Sequence, residues 1–521
     1  MTLDAGALQV LVARLSGVAD EVGAVLRRAA SSPNIKERAD CSAACFTAAG
    51  ELLAQAEHIP VHLGSMPAAV RAAIVAVDHL GPGEQIVSND PFAGGTHLND
   101  VTLVAPVFVA GELVAWVANR AHHADLGGMA PGSMPPDALD IAQEGLRIPP
   151  VRFTPDVEAL IVASSRTPEE RRGDLAAQRG ANVVGVERLR DLVVGLGGVG
   201  PLGEVLAYGE RRMRAALTVL PNGRFSFEDV LDSVGPRPEQ QTQSRVSVAV
   251  TIEADHVTFD FTGSAPQRAG NVNAVEAVTI SAVAFAIRAA TDASIPANGG
   301  ALRPVRVVAP PGTVVAAESP VAVGAGNVEV SQRVADVCLG ALAQAVPERL
   351  GAAGQGTMNN VLIGDAGADV PWVYYETIGG GQGARPWADG MSGVHTAMTN
   401  TADTPVEAIE RSLPIRVRCF ALRRGSGGRG ERRGGDGIER ELEVLDDAVV
   451  SLVTERRVRA PWGLAGGAPG ATGENWLLPG GDATRATRLR DKCTVELRAG
   501  DVLRVCTPGG GGWGRPADAV E

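Results

Sequence analysis

The chain has 521 residues, enough for about two to four domains, and its composition is 45% hydrophobic and 21% charged. Its formal net charge of −13 argues against nucleic acid as the main partner. No window approaches the roughly 18 uninterrupted apolar residues of a membrane span, and the N-terminal residues lack the pattern of a secretion signal, so we expect a cytoplasmic protein without a membrane partner.

Two residue types exclude further classes of site. The six cysteines, at positions 41, 45, 338, 419, 493 and 506, show neither a disulfide framework nor zinc-ribbon spacing, so we expect buried, reduced thiols. Lysine occurs only at Lys36 and Lys492, which excludes a lysine-containing phosphate loop. If the reaction uses nucleotide energy, we expect another chain to bind the nucleotide.

The first predicted element is a helix, because Leu8, Leu11, Leu15, Val18, Val22 and Val25 recur at spacings of three and four. Two short strands around 48–50 follow, and Asp40 lies in the first of them. An acidic residue there is most simply a turn or edge residue. A second helix is predicted from about 67 to 77.

The next segment gathers three of the eight histidines around a predicted β-hairpin. Two apolar, β-branched runs, 101–109 and 113–119, are separated by the short segment 110–112. Antiparallel pairing around that segment makes the numbers of opposite residues sum to about 222. The pattern therefore predicts that Asp100 faces His122.

This hairpin contains a candidate metal site. His97 lies three residues before Asp100, so a loop can bring its imidazole to the same point. Two nitrogens and one carboxylate oxygen suit a divalent ion of the Zn, Mn or Fe type and leave a position open. His122 and His123 point to opposite faces of the strand, so one would bind directly and the other would orient a ligand or carry a proton. The alternative is a hairpin with polar ends and satisfied histidines.

The remaining pattern predicts a mixed α+β fold, with a metal-bearing N-terminal α/β region, a helical segment and a β-rich C-terminal part. Residues 143–151 are expected to be extended, a hairpin to turn near Asp255, and helices to span 274–291 and 328–345. The predicted division is 1–153 for the metal-site region, 154–222 for the helical segment, 223–358 for a central α/β region and 359–521 for the β-rich region.

Two glycine clusters allow two interpretations each. Residues 376–385 follow a predicted strand and could present backbone N–H groups to an anion, or could be a tight connection. Residues 423–437 contain five arginines, without interleaved aromatic residues, and are expected to form a folded or flexible loop. Guanidinium groups there could also contact a phosphate on a partner.

Several long motifs occur in order along nearly the whole chain. They are IKERADCS around Asp40, HIPVHLGSMP from His58, NDPFAGGTHLNDV from Asn89, NRAHHADLGG from Asn119, QEGLRIPPV from Gln143, YYETIGGGQGARPWADGMSGVHTAMTNTADTPVEAIE from Tyr374, and TPGGGGWG from Thr507. With these motifs the chain resembles the hydantoinase B and oxoprolinase family, which includes subunits of ATP-dependent hydantoinases, lactamases and acetone or acetophenone carboxylases.

The resemblance implies that His97, Asp100 and His122 bind a divalent metal, Zn or Mn, with Asp40 as a fourth ligand or close neighbour. It also implies a separate or fused hydantoinase A-like subunit, of the actin-like kinase fold, that binds ATP with Mg. The chain departs from the family at Ala397, where relatives often carry a second histidine, and this affects any role carried over for the region of His395.

The implied function is hydrolysis of a small cyclic amide. The partner phosphorylates the substrate, and water activated at this chain's metal site opens the ring, with His123 or Asp125 moving the proton. A subunit of an acetone or acetophenone carboxylase is one alternative, and a non-catalytic scaffold for the ATP-binding subunit is another. The motifs do not distinguish hydantoin, 5-oxoproline and larger lactams.

Overall fold

The structure is a computed structural model that describes residues 3–57, 59–365, 367 and 371–516. His58, which begins one of the sequence motifs, lies outside the described residues. The N-terminal part contains helices α1 (Ala5–Ala29), α2 (Pro33–Lys36) and α3 (Met66–Ala76) and strands β1 (Cys41–Thr47), β2 (Leu52–Glu57), β3 (Ile86–Ser88), β4 (Asp100–Val109), β5 (Glu112–His122) and β6 (Val151–Arg152). The predicted opening helix, the two strands around 48–50 and the helix near 67–77 are confirmed.

These six strands form one antiparallel sheet in the order β2-β1-β5-β4-β3-β6. Helix α1 buries its apolar stripe, including Leu11, Leu15 and Leu26, in a cluster with Cys41 and Val117 on one face of the sheet. Helix α3 packs on the opposite face, where Trp116 and Ala118 of β5 are buried. Successive residues of β5 therefore meet different helices, as the alternation of side chains in a strand requires.

The β4–β5 hairpin has the predicted register, with Asp100 directly opposite His122. Its turn is shorter than expected, because Val109 pairs with Glu112 and the connection is Ala110-Gly111, both with positive φ. Such a two-residue turn alone would make opposite numbers sum to about 221. A β-bulge between the Phe108–Leu113 and Val107–Ala115 pairs inserts one residue and gives the final register.

Helices α4 (Pro155–Ser164), α5 (Pro168–Gly195) and α6 (Gly200–Leu217) follow, and α5 packs beside α1 on the first sheet. Among the described residues, no single helix is long and apolar enough to cross a membrane. Helices α5 and α6 meet that test only jointly, across a bend of 100°.

The central part has a four-stranded sheet in the order β10-β9-β8-β7. Its strands are β7 (Gly223–Leu231), β8 (Ser244–Glu253), β9 (His256–Asp260) and β10 (Val305–Val308), and its helices are α7 (Glu276–Ala290), α8 (Gly299–Leu302) and α9 (Ser331–Ala345). The hairpin near Asp255 is confirmed. The predicted helix 328–345 differs at its start, because a π-helical turn, Gly326–Val330, precedes α9.

The C-terminal part consists of two antiparallel sheets, ordered β12-β11-β15-β18 and β13-β14-β19-β16-β17, with an apolar cluster between them. Its elements are β11 (Asn360–Asp365), β12 (Val373–Glu376), α10 (Val406–Ser412), β13 (Ile415–Arg423), β14 (Gly437–Val444), β15 (Ala448–Val453), β16 (Glu474–Leu478), β17 (Thr487–Leu489), β18 (Lys492–Leu497) and β19 (Val502–Cys506). The mixed α+β class is confirmed, while the four-region division stays a prediction.

The glycine clusters form a bundle of closely packed backbone segments. The amide of Gly510 donates to the carbonyl of Gly435 (2.9 Å), and the amide of Gly428 donates to the carbonyl of Gly510 (2.8 Å). The amide of Gly381 donates to the carbonyl of Pro508 (3.0 Å). A Cβ on Gly510 would lie 2.1 Å from the carbonyl oxygen of Gln382, so only glycine permits this approach. The segment 423–437 is therefore a folded loop, and these amides bind within the protein.

We expect Gly510→Ala to lower the apparent midpoint of thermal unfolding, because overpacking of this kind costs about 1–3 kcal/mol. Gly180→Ala is the matched control, since Gly180 lies in helix α5 and a Cβ added there would meet no atom within 4 Å. That change should leave the midpoint unchanged or raise it slightly. Equal midpoints for Gly510→Ala and the wild type would contradict the packing described.

Candidate metal centre

His122 lies at the end of β5, between a carboxylate from β4 on one side and, on the other, the carboxylate of the residue just before β1. Asp100 of β4 pairs with it directly. On the other side, Cys41 of β1 pairs with Ala121, and the amide of His122 donates to the carbonyl of Asp40 (3.0 Å). The same register thus continues to Asp40. Because directly paired residues share a face of the sheet, both carboxyl groups are directed toward the imidazole.

His97 reaches this group from the loop before β4. The loop begins with a short 3-10 turn, Pro91–Ala93, and Gly94 follows with a φ of 86°. A Cβ on Gly94 would lie 2.4 Å from the backbone of Ala68 in α3, so glycine allows the loop to rest against that helix. This close approach directs the following residues, including His97, back toward β4.

The three predicted ligands lie close together and are almost fully buried. His97 Nε2 is 3.4 Å from Asp100 Oδ1, and His122 Nδ1 is 3.5 Å from the same oxygen. One ligand atom from each of these residues lies within 4.8 Å of the others. Asp40 is slightly farther away, with Oδ2 at 3.9 Å from His122 Nδ1.

Several donor atoms of the cluster have no hydrogen-bond partner in the part of the chain that the structure describes, as is expected of atoms that bind a cation. Both ring nitrogens of His97, Nε2 of His122 and Oδ1 of Asp100 are buried and have no hydrogen-bond partner among the described residues. Oδ2 of Asp100, in contrast, accepts hydrogen bonds from the Thr96 hydroxyl and from Asn327 Nδ2 (3.4 Å). These bonds orient the carboxylate with its other oxygen toward the histidines, as supporting contacts of a metal ligand do.

Electrostatics favours the metal-binding forms of His122 and Asp100. Burial lowers the pKa of His122 against the opposing charge of Asp40, so the imidazole is neutral at pH 7. Burial alone would raise the pKa of Asp100, but the rings of His97 and His62, when protonated, bring it well below its ordinary value. A neutral imidazole and a carboxylate are the forms in which His122 and Asp100 bind divalent metals.

The cluster borders a small cavity of about 20 Å³. A buried site needs roughly 10–15 Å³ to hold a water molecule, so this cavity has room for one ion or water and not for a ring-shaped substrate. Its lining includes Asp40, Asp100 and His122 together with residues from distant parts of the chain: Ile59, Val61, His62, Asn327, Val328, Met358, Tyr375, Thr377, Thr399 and Thr401.

Three residues of this site were not predicted as site residues from the sequence. His62 Nε2 lies 3.4 Å from Asp100 Oδ2, and its Nδ1 is 2.9 Å from Ser42 Oγ. Tyr375 stacks on His122 with ring centroids 4.6 Å apart. Asn327 contacts Asp100 from 227 residues away. The HIPVH motif was a signal for His62, whereas no local pattern marks Tyr375 or Asn327.

The structure does not bring the two predicted proton carriers, His123 and Asp125, into contact with the cluster. His123 points to the other face of the sheet, where its Nε2 is 2.9 Å from Oε1 of Gln178 in α5. Asp125 binds the guanidinium of Arg166 (2.9 Å) and accepts from the amides of Gly127 and Gly132. These contacts account for both residues as supports of the surrounding fold.

His395 lies next to the cavity wall. Its Nε2 is 3.1 Å from the hydroxyl of Thr401, which lines the cavity and is 2.7 Å from the hydroxyl of Thr377. Arg38 donates to Thr377 Oγ1 (2.6 Å) and to the carbonyl of Tyr375. His395 is therefore connected to the candidate metal centre through hydroxyl groups.

Comparisons with known proteins agree on one family. The family model described as Hydantoinase B/oxoprolinase matches residues 4–516. 5-Oxoprolinase 1 of Arabidopsis thaliana is 39% identical over 547 residues, which cover 97% of this chain and 41% of that protein. The putative D-/L-hydantoinase B subunit of Pseudomonas sp. (strain NS671) is 30% identical over 542 residues, which cover 99% of this chain and 91% of that protein.

Two solved structures share the fold. The ATP-dependent caprolactamase of Pseudomonas jessenii superposes with a TM-score of 0.91 at 29% identity, covering 99% of this chain and 93% of that chain. The nucleotide-free structure of acetone carboxylase superposes with a TM-score of 0.90 at 20% identity, covering 98% of this chain and 76% of that chain. The chain thus spans most of these two structures but 41% of the plant 5-oxoprolinase.

Stability should depend on pH through His395. Burial, together with the charge of Arg38, lowers the pKa of this histidine to about 3, whereas an exposed histidine has a pKa of about 6.5. Below about 6.5 the unfolded chain takes up a proton that the folded chain does not. Acidification toward pH 3 therefore lowers the free energy of unfolding, by at most about 1.4 kcal/mol per pH unit for this group.

His395→Gln removes this titration but keeps a side chain that can accept a hydrogen bond from Thr401. We expect the fall in unfolding midpoint between about pH 7 and pH 5 to be smaller in the variant than in the wild type, as measured by thermal unfolding. An equal fall in both proteins would show that His395 is not buried in its neutral form.

Proposed function

The chain belongs to the hydantoinase B/oxoprolinase family, and we propose that it is the metal-bearing subunit of an ATP-dependent enzyme that hydrolyses cyclic amides. The observation that carries this proposal is the buried cluster of His97, Asp100 and His122, in which both ring nitrogens of His97, Nε2 of His122 and Oδ1 of Asp100 have no hydrogen-bond partner among the described residues. Leaving such groups unpaired costs about 1–3 kcal/mol each. A protein that only holds another chain in place does not need such unpaired groups, whereas a metal site needs them free to bind the ion.

The proposed ligands are His97, Asp100 and His122, with Asp40 as a fourth ligand or a neighbour. Two nitrogens and one or two carboxylate oxygens suit Zn or Mn. When bound, such an ion supplies Lewis-acid polarisation of a substrate oxygen and lowers the pKa of a water molecule. Arg120, fully buried beneath the site, donates to Thr102 (2.8 Å) and Ser65 (2.6 Å) and places a positive charge that partly offsets the carboxylates.

His62 is better placed than the predicted His123 or Asp125 to hold the proton that ring opening requires. It lines the cavity, and its Nε2 lies 3.4 Å from Asp100. Burial lowers the pKa of His62, so the free imidazole is present at pH 7. Its Nδ1 lies 2.9 Å from Ser42 Oγ, which leaves Nε2 as the nitrogen that faces the cluster.

The small cavity also constrains how substrate arrives. A cyclic amide cannot occupy 20 Å³, so part of the wall must move before the ring reaches the ligands. Thr399 and Thr401 form part of this wall, and Asn400 and Ala402, between and beside them, are exposed. Closure of that wall around a small substrate would exclude bulk water, so that a reactive phosphorylated species is not lost to side reactions.

The identities favour an amide-hydrolysing role over a carboxylase. Relatives at 30% identity or more carry names of the 5-oxoprolinase and hydantoinase type, and the caprolactamase is 29% identical. Acetone carboxylase is 20% identical and supports a common fold alone. Which cyclic amide is used depends on side chains that contact it after the wall has moved.

The proposal includes a partner. This chain corresponds to 41% of the plant 5-oxoprolinase, so that protein carries a long further segment. A separate chain equivalent to it, a hydantoinase A-like subunit, would bind ATP with Mg and phosphorylate the substrate. The absence of a lysine phosphate loop here supports this division, as does the Pseudomonas relative, whose name makes it one subunit of a hydantoinase.

The first test is metal content. We expect about one divalent ion per folded chain in the wild type and a loss of that ion in His122→Ala, because one of its strongest donors is removed. His123→Gln is the matched control, since the neighbouring histidine faces α5, and it should retain the ion. Elemental analysis of proteins shown to be folded by circular dichroism provides the measurement.

Retention of the full metal content by His122→Ala would remove His122 from the ligand set and, with it, the basis of the proposal. Loss of the ion from both variants to the same degree would mean that the sheet, rather than the cluster, had been disturbed.

The second test is activity of the complex with its ATP-binding partner. Ring opening of 5-oxoproline, hydantoin or caprolactam should require ATP and proceed without bicarbonate, and Asp100→Asn should lower kcat at least ~10³-fold, because a metal site contributes several kcal/mol to transition-state stabilisation. Bicarbonate-dependent turnover of a ketone would instead support the carboxylase alternative. Unchanged ring opening by Asp100→Asn would support the scaffold.

A further inference from the structure

The π-helical turn Gly326–Val330 contributes a buried polar side chain on each side of Val328. Asn327 donates to Asp100 at 3.4 Å. Glu329 is directed elsewhere: its Oε1 accepts hydrogen bonds from the amide of Met358 (3.1 Å) and from Asn360 Nδ2 (2.8 Å). Turns of this type carry one extra residue per turn and are frequent at functional sites.

The contacts of Glu329 continue to the metal centre through Tyr375. Asn360 accepts the hydroxyl of Tyr375 at Oδ1 (2.9 Å), and its Nδ2 donates to Glu329 and to the carbonyl of Val453 (2.8 Å). Both donor and acceptor ends of the amide are thus used, which leaves a single orientation. The ring of Tyr375 then lies on the imidazole of His122, with an interplanar angle of 10°.

The N-terminal end of the turn is held in place. Its first residue must be glycine, since a Cβ on Gly326 would lie 1.9 Å from the carbonyl oxygen of Asn273. Just before it, the buried carboxyl group of Glu144 accepts hydrogen bonds from the amides of Val323 (3.1 Å) and Gly324 (2.7 Å). The N-terminal part of the chain therefore anchors the turn, and the turn in return supports two proposed ligands.

We propose that Glu329 and Asn360 are positioning residues that hold Tyr375 against His122, so that this single turn sets the geometry of both Asp100 and His122. That a metal binds at this site rests on the proposed function. The positioning role itself rests on the hydrogen bonds alone. All three side chains are buried, with an exposed fraction of 0% for Glu329 and Asn360 and 2% for Tyr375. Water therefore cannot replace a lost partner without rearrangement.

The chain offers matched variants for a test. Tyr375→Phe keeps the stacked ring and removes its anchor to Asn360, while Tyr374→Phe removes an equally buried hydroxyl that donates to Glu376 (2.8 Å) away from the centre. Glu329→Leu removes the acceptor, whereas Glu329→Gln retains a carbonyl oxygen in the same place. Burial raises the pKa of Glu329 to about 8, so glutamine also matches the charge of the predominant form at pH 7.

The first measurement is the dissociation constant of Mn²⁺ and Zn²⁺, obtained by competition with a chromogenic chelator. Tyr375→Phe and Glu329→Leu should weaken binding by about 10-fold or more, which is typical of lost contacts behind a metal ligand. Tyr374→Phe should bind as the wild type does, and Glu329→Gln should restore binding to within about two-fold. Equal affinity in all five proteins, or equal loss in Tyr374→Phe, would overturn the positioning role.

The second measurement uses metal-free protein with 13C-labelled histidine, in which the His122 resonance is assigned by its absence from His122→Asn. That resonance should shift in Tyr375→Phe and Glu329→Leu and stay in place in Tyr374→Phe and Glu329→Gln. An unmoved resonance would overturn the inference even if metal binds. Conversely, if the wild type binds no metal but the variants still show these shifts, the proposed function would be wrong and the positioning role would stand.

Discussion

The register between β4 and β5 is the constraint on which the rest of the site depends. Ala110-Gly111 adopts positive φ at both positions, and the bulge at Val114 then advances the pairing by one residue. Without that extra residue His122 would pair with Asn99 rather than Asp100. Because side chains alternate along a strand, the same step determines which of the two adjacent histidines faces the cavity.

The second requirement is that a buried polar cluster be enclosed by parts of the chain that are far apart. The N-terminal sheet supplies Asp40, Asp100 and His122, the π-helical turn supplies Asn327, and β12 supplies Tyr375. Each closes one side of a cavity large enough for one ion. The burial that excludes water also strengthens the interaction of the donor atoms with any cation, since the local dielectric constant is low. A folded chain with these donors unpaired is destabilised, and a bound ion would remove that cost.

The glycine-rich segments show how a distant packing feature supports this arrangement. The backbone of Gly381 is held by the segment around Pro508, and β12 ends at Glu376, a few residues earlier in the chain. Side chains larger than hydrogen would separate these segments and move β12, which carries Tyr375. The arginines between the glycines are exposed at 424, 429, 432 and 433, and the glycines themselves serve close backbone contact.

Sequence reasoning predicted the hairpin, the pairing of Asp100 with His122 and the opposite orientation of His123, because these follow from local periodicity and strand geometry. The predicted register is correct although the predicted connection is not. A three-residue connection, and a two-residue turn followed by a bulge, both make the numbers of opposite residues sum to about 222. The roles of Asn327 and Tyr375 could not be predicted, because they reach the site through contacts over more than 200 residues of chain. The ion pair of Asp125 could not be predicted for a similar reason, as its partner Arg166 lies in the connection to α5.

Anomalous X-ray diffraction from crystals grown with Mn²⁺ or Zn²⁺ would show whether an ion binds at the cluster. We expect one strong anomalous peak among the three predicted ligands, within about 2.0–2.3 Å of a nitrogen of His97, a nitrogen of His122 and Oδ1 of Asp100. A peak bound by other residues, or crystals that hold the ion nowhere near β4 and β5, would contradict this prediction.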